Sequence, residues 1–219
     1  MRSVFDIGQA AERIAVACCA AAHAGMTEQD LAQLITAGYA EAGGDQLTML
    51  VVGSGPRSAH INAPPKTRVL ECGDIVRLDI IGTKDCYYSD VARTAVVGKP
   101  NAERRHVYDE LRRAHETALA SLRPGVSAAV VYDKYRAAMD AAGLPAYHFL
   151  GHGLGVTLHE LPFLNAITST TLEEDMVLCI EPLTMIPGRF GMQLEDELLI
   201  TANGYEPFTQ AADLLRIPA

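Results

Sequence analysis

The chain has 219 residues, of which 49% are hydrophobic and 21% charged, enough apolar material for one sizeable globular core. Its 18 Lys and Arg against 27 Asp and Glu give a formal charge of −9, which argues against nucleic acid or an anionic membrane as a general partner. No basic-then-apolar leader opens the chain and no apolar run reaches about 18 residues, so neither a secretory signal nor a membrane span is expected. The five cysteines, Cys18, Cys19, Cys72, Cys86 and Cys179, are odd in number and lack C-x-x-C spacing. Cys18 and Cys19 are neighbours in an apolar helical stretch, a usage that points to reduced thiols in a cytoplasmic protein.

Residues 5–24 read as a helix, because Ile7, Ala10, Ala11, Ile14, Ala15 and Cys18 follow three-and-four spacing and Gly25 stops it. Thr27 caps a second helix with Leu31, Leu34, Ile35 and Gly38 on one face, ending at Gly43-Gly44. "MLVVGSG" (49–55) is a short buried strand, and "DIVRLDIIGTKDCYYSDVARTAVVG" (74–98) is two strands about a turn. A long helix follows over 101–122, capped by Asn101 and terminated at Pro124-Gly125. Another is capped by Ser127 and closed by Gly143. The histidine- and glycine-rich "YHFLGHGLGVTLHELP" (147–162) comes next. Then "MVLCIEPLTMI" (176–186) and "MQLEDELLIT" (192–201) form strands about a Pro-Gly turn.

That order repeats. Gly25-Met26-Thr27 opens a helix that ends at Gly43, and Gly125-Val126-Ser127, 100 residues later, opens one that ends at Gly143. Each half runs long helix, shorter helix, then a β-rich segment with paired carboxylates. No linker or low-complexity tract separates them, so one α+β body of two related halves is expected.

Asp79 and Asp90 lie in nearly apolar strands, where an ionised carboxylate is costly unless paired or metal-bound. A turn centred between Lys84 and Asp85 sets them opposite each other, and a turn centred on Gly188 does the same for Glu181 and Glu195. Opposed Cβ atoms lie about 4.5–5.5 Å apart, so two such hairpins can enclose a pair of cations about 3.5–4 Å apart. Any one of these acids alone reads as a surface charge or an ion-pair partner; the agreement of two hairpins favours a site.

His148, His152 and His159 admit three readings. A phosphate loop would carry a lysine, which is absent. A helical H-E-x-x-H zinc site fails because Leu161-Pro162-Phe163 follows His159-Glu160, and the glycines around His152 oppose a helix. The third reading is an extended segment whose glycines let other backbone approach, with one histidine on metal and the others toward substrate. Acids plus one imidazole suit Mn²⁺, Co²⁺, Fe²⁺ or Zn²⁺ rather than a thiolate zinc site. His23, His106 and His115 read as ordinary surface or core residues.

With these residues the chain resembles, over nearly its whole length, the catalytic domain of the pita-bread metallopeptidases: methionine aminopeptidase, aminopeptidase P, prolidase, creatinase and their relatives. The frames that carry the resemblance are "LDIIG" with "YSDVART", "GHGLGVTLHELP", "CIEP" and "QLEDELLIT". It implies Asp79, Asp90, His152, Glu181 and Glu195 as ligands of two divalent cations, Mn²⁺ first, with Co²⁺, Zn²⁺ or Fe²⁺ as alternatives. It also implies catalytic or substrate-facing roles for His60, His148, His159 and Glu181. The implied fold is α+β, a pseudo-twofold αβ repeat around a curved antiparallel sheet. The whole of 1–219 would be a single catalytic domain, with halves of about 1–100 and 101–219. Only 78 residues precede Asp79, so no N-terminal creatinase-type domain is expected.

The implied activity is metal-dependent hydrolysis of Xaa-Pro bonds in dipeptides or short peptides by an activated water. The alternatives are a methionine aminopeptidase, or a creatinase-like hydrolase or lyase acting on a small non-peptide substrate. Two departures bear on substrate choice: proline-directed members usually have Arg two residues before the last Glu, where this chain has Gln193 as methionine aminopeptidases often do, and they carry a preceding N-terminal domain. Some members that have lost their ligands bind histones or RNA, which the full acid set and the acidity here oppose. The partners expected are a peptide or small-molecule substrate, no nucleic acid and no membrane, with a homodimer allowed.

Overall fold

A computed structural model describes residues 2–211 and 213–219. The first half consists of α1 (Arg2–Ala21), α2 (Glu28–Glu41), β1 (Gln46–Ser54), a 3-10 turn at Gly55–Ala59, β2 (Ile75–Lys84) and β3 (Tyr87–Val97). The second half consists of α3 (Ala102–Leu119), α4 (Ala128–Ala141), β4 (Phe149–Gly153), β5 (Glu160–Asn165), β6 (Val177–Ile180), β7 (Leu183–Ile186), β8 (Phe190–Gln193), β9 (Asp196–Thr201), β10 (Gly204–Pro207) and β11 (Leu215–Ile217). The last two strands carry no strong signal in the sequence. Helix α1 stops at Ala21, short of the expected residue 24, because the chain must turn so that the Gly25 N–H reaches Leu70 O at 3.0 Å.

The repeat is physical. Thr27 and Ser127 both cap their helices, the first as a full capping box with Asp30. Gly25 and Gly125 sit at φ 94° and 86°, which side chains resist. Their N–H groups donate to Leu70 and Leu172, whose own N–H groups return bonds of 2.8 Å to Met26 and Val126.

The sheets are β1-β2-β3-β11, antiparallel except that β11 runs parallel to β3; β10-β9-β6-β4-β5, wholly antiparallel; and the pair β7-β8. They join where the Glu195 N–H donates to Ala92 O at 3.1 Å and the Gln193 N–H donates to Thr94 Oγ1 at 3.0 Å. The helices pack mainly on one face, although α1 also sets Val4 against Cys179 and Gly8 beside Glu197. Ile7, Ile14, Leu31 and Ile35 of α1 and α2 pack on Leu78, Ile80 and Val91. Tyr108, Leu111, Val131 and Tyr135 of α3 and α4 pack on Leu178, Ile180, Leu198 and Ile200. Side chains alternate across a strand. If the even-numbered residues of β2 and β6 fill the helix-side cores, Asp79, Cys179 and their like must face the other way. Among the described residues no helix is long and apolar enough to cross a membrane.

Candidate metal centre

The β2–β3 hairpin closes through Asp85 and Cys86, both at positive φ (53° and 69°), with Lys84 opposite Tyr87. This corrects the expected register. The turn lies one residue later than the Lys84–Asp85 midpoint, so Asp90 faces Ile81 and Asp79 faces Ala92. The two aspartates are diagonal neighbours rather than opposed. A slip of two positions preserves the face, and both aspartates still line the same cavity. The second hairpin has the expected centre. Leu183 pairs with Gln193, Ile186 with Phe190, and the Leu194 N–H donates to Pro182 O at 3.1 Å. That register, carried one step further, sets Glu181 across from Glu195. Each acid is also tied to another strand, Glu181 N–H to Leu150 O at 2.7 Å and Glu195 N–H to Ala92 O at 3.1 Å.

His152 comes from β4, an extended strand between β5 and β6. A methyl group on Gly151 would lie 2.0 Å from Cys179 O, so only glycine lets β6 approach this closely. A register shift between Phe149 and Gly151 leaves Leu150 in the helix-side core while His152 faces the acids. The His152 Nδ1 lies 2.9 Å from Gly153 O. A carbonyl only accepts, so Nδ1 holds the proton and Nε2 presents a lone pair. That lone pair is 3.4 Å from Glu181 Oε1 and 3.7 Å from Asp90 Oδ2. Burial, opposed only by the bond to Gly153, lowers the imidazole pKa to about 4, so the ring is neutral at neutral pH.

The carboxyls are held as a crowd. Burial first, then the charge of Asp79, pushes Glu181 up to about 8. Burial and the neighbouring acids hold Asp90 and Glu195 well above the ordinary carboxylate range, and burial raises Asp79 against the pull of Arg77. Among the described residues, Asp79 Oδ1, Asp90 Oδ1, Glu195 Oε1 and His152 Nε2 are buried without a hydrogen-bond partner. Bare buried lone pairs on this many acids are expensive. Divalent cations would turn that cost into binding energy, so the residues present fit the expected pair of ions.

Three more residues complete the centre. Arg77, 1% exposed, donates Nε to Ser58 O at 3.1 Å, Nη1 to Gln193 Oε1 at 2.6 Å, and Nη2 to His60 O and Ile61 O. With its oxygen taken, Gln193 turns its Nε2 to Glu181 Oε2 at 3.2 Å and Glu195 Oε2 at 3.5 Å. Glu197 accepts the Asp90 N–H at 2.6 Å, and its own carboxyl is pushed up to about 8 by burial. Arg77→Met would take the donor from two buried acceptors, Ser58 O and Gln193 Oε1, and from the part-buried His60 O and Ile61 O. At about 1–3 kcal/mol for each stranded buried group, it should cost the metal-free protein more than about 3 kcal/mol in denaturant unfolding. An unchanged midpoint would contradict the clamp.

Three other histidines, His159, His148 and His60, stand around the rim. His159 is exposed and lies edge-on to His152, with ring centroids 4.4 Å apart. It lines both a cavity of about 160 Å³ over Asp79, Asp90 and Glu181, and a neighbouring one of about 310 Å³ shared with His148, Phe149 and Phe163. His148 is exposed, with its ring 4.2 Å from that of Tyr147. His60 is exposed on the segment clamped by Arg77, where Ile61 and Asn62, rather than His60, wall the smaller cavity. His115 is a core residue 3.7 Å from Asp196, while His23 and His106 lie at the surface.

Residues 5–202 match metallopeptidase family M24. The "Probable dipeptidase PepE" of Mycobacterium tuberculosis is 37% identical over 183 residues, which is 82% of this chain and 49% of that protein. The Xaa-Pro dipeptidase of Pyrococcus furiosus is 36% identical over 162 residues, 73% of this chain and 47% of that protein. The crystal structure of dipeptidase PepE from Mycobacterium ulcerans superimposes with a TM-score of 0.96 at 33% identity, covering 100% of this chain and 60% of that one. The chain thus spans about half the length of the curated relatives it matches.

Proposed function

We propose a peptidase activity for this chain on one premise: it belongs to metallopeptidase family M24. The proposed reaction is hydrolysis of Xaa-Pro bonds in dipeptides or short peptides. The observation that carries it is the set of unpartnered buried donors on Asp79, Asp90, Glu195 and His152 beside a cavity of about 160 Å³. The Xaa-Pro choice is supported by the Pyrococcus furiosus relative's name. Asp79, Asp90, His152, Glu181 and Glu195 would hold two divalent cations, Mn²⁺ first, with Co²⁺, Zn²⁺ or Fe²⁺ able to substitute. When bound, these ions supply Lewis acidity, lowering the pKa of water and polarising a carbonyl.

The chain's own groups do the rest. Glu181, with Oε2 held by Gln193, takes the proton of the attacking water and delivers it to the leaving nitrogen. A proline imide needs that proton, since its nitrogen carries none. His159 stands over both cavities and donates to the carbonyl oxygen as negative charge develops there. His148, among aromatic rings, and His60, on the clamped rim segment, orient the substrate. Both halves act as one catalytic unit, and the five unpaired cysteines support a reducing, cytoplasmic setting.

The test is the purified chain loaded with Mn²⁺ and assayed on Ala-Pro, Ala-Pro-Ala and Met-Ala. Cleavage of the proline peptides, abolished by chelator and restored by Mn²⁺, is expected. Preference for Met-Ala would transfer the reading to a methionine aminopeptidase, and no hydrolysis of any peptide would refute both. His159→Ala should lower kcat by about 10²–10³, the usual worth of one oxyanion donor, with metal content unchanged. Loss of metal instead would put His159 among the ligands.

A further inference from the structure

We propose that Cys179 Sγ is a ligand to the cation held by Asp90, His152 and Glu195, so that the two metal positions are chemically unequal. The inference rests on the dinuclear reading above and goes beyond its oxygen-and-imidazole ligand set. Cys179 lies on β6 directly opposite His152 on β4 and Glu197 on β9, so its side chain stands on the acid-bearing face. It is completely buried. One donor atom each from Asp90, His152, Cys179 and Glu195 lies within 4.8 Å of all the others. The thiol's contact with Asp90 O is long, at 3.9 Å. Three of the surrounding atoms, Asp90 Oδ1, His152 Nε2 and Glu195 Oε1, are themselves buried and unpartnered.

The spacing suits a single ion. Metal–sulfur bonds of about 2.3 Å and metal–oxygen bonds of about 2.0–2.2 Å let two ligands of one ion stand at most about 4.5 Å apart. Every pair of these donors already lies within 4.8 Å, so side-chain shifts without strand movement bring them onto one ion. Coordination releases the thiol proton to solvent and leaves the thiolate on the metal. Asp79 is not part of the sulfur-bearing cluster, so the other position keeps an oxygen-dominated set. Sulfur draws zinc, cobalt or iron to the His152 side, while the Asp79 side remains suited to Mn²⁺.

The test is a Co²⁺ titration of the full chain followed by absorption spectroscopy. The expected result is a thiolate-to-cobalt charge-transfer band in the near ultraviolet, saturating at one thiolate per chain. Cys179→Ser and Cys179→Thr should lose that band yet keep the visible d–d bands of bound Co²⁺. They should also lose about tenfold or more of the Zn²⁺-over-Mn²⁺ preference. If d–d bands appear without charge transfer, or if the band survives in Cys179→Ser (exposed Cys72 or Cys86 then being its source), the proposal is overturned while the peptidase reading stands. If Co²⁺ does not bind at all, both fall. Should the variants not fold, X-ray absorption on the unmodified Zn²⁺ protein decides: a sulfur scatterer near 2.3 Å supports the proposal, and a shell of oxygen and nitrogen only overturns it.

Discussion

Asp90→Ala should make the metal-free protein more stable and the Mn²⁺-loaded protein less so. Asp90 is buried against Asp79, Glu181 and Glu197, and its carboxyl is held well above the ordinary range by burial and by those acids. Removing it relieves desolvation and repulsion in the empty centre. Replacing buried ionic groups by apolar ones is commonly neutral or stabilising by about 1–4 kcal/mol. On the proposed ligand set the same change would remove a ligand, so the gain in unfolding free energy on adding Mn²⁺ should shrink and hydrolysis should fall by about 10³ or more, the kinetic equivalent of several kcal/mol. His152→Ala makes an informative contrast. It also removes a donor and activity, but it takes out a neutral, well-packed ring, so it relieves no repulsion and should destabilise the metal-free chain. Denaturant unfolding with chelator and with Mn²⁺ reads both effects. An Asp90→Ala protein that keeps its activity and its Mn²⁺ stabilisation would remove Asp90 from the centre.

The second large effect is on pH. In chelator, stability should fall as pH rises from about 4.5 to about 8. Glu181 and Glu197 have ordinary carboxyl values of 4.5 raised to about 8 in the folded chain, burial being the first cause in each. Between those values the folded state keeps protons that the unfolded state has lost, so unfolding releases protons and stability declines with pH. The contribution is complete below the unfolded value and gone above the folded one. A shift of this size corresponds to several kcal/mol for a single group, shared rather than summed because the carboxyls interact. His152 opposes the trend. Its pKa is lowered from 6.5 to about 4, so it adds stability as pH rises through that interval. One imidazole is outweighed by several carboxyls. With Mn²⁺ present the slope should reverse, because protons compete with the metal for the same lone pairs. Unfolding midpoints across this range with chelator and with Mn²⁺ should therefore diverge toward high pH; parallel curves would contradict a metal-binding carboxyl cluster.

Much of the architecture was legible in the sequence because its signals are local. Thr27, Asn101 and Ser127 mark helix starts, and Gly25 and Gly125 mark the two turns that expose the repeat. The centre of the second hairpin was legible from Gly188. The first was misplaced by one residue because Asp85-Cys86 does not advertise a two-residue turn as Asn-Gly would. Strands β10 and β11 were missed because each is short and is defined by its partner, β9 and β3 respectively.

At the centre, the acids and His152 stood out as polar residues in apolar strands, but their supports did not. Arg77, Cys179 and Gln193 each lie two residues before an acid (Asp79, Glu181 and Glu195), and Glu197 lies two after one. Strand alternation alone placed all four on the same face, and that signal was available. What the sequence could not supply was the long-range pairing, such as Arg77 with Gln193 and Asp90 with Glu197. The register shift that turns His152 toward the acids also depends on β5 and leaves no mark on its own segment.

The most direct measurement is anomalous scattering from a crystal of the Mn²⁺-soaked chain, recorded at the manganese edge. Two peaks, about 3.5–4 Å apart as in other two-metal sites and bounded by Asp79, Asp90, His152, Glu181 and Glu195, are the predicted result. No peak among those side chains, with manganese bound elsewhere or not at all, would contradict it.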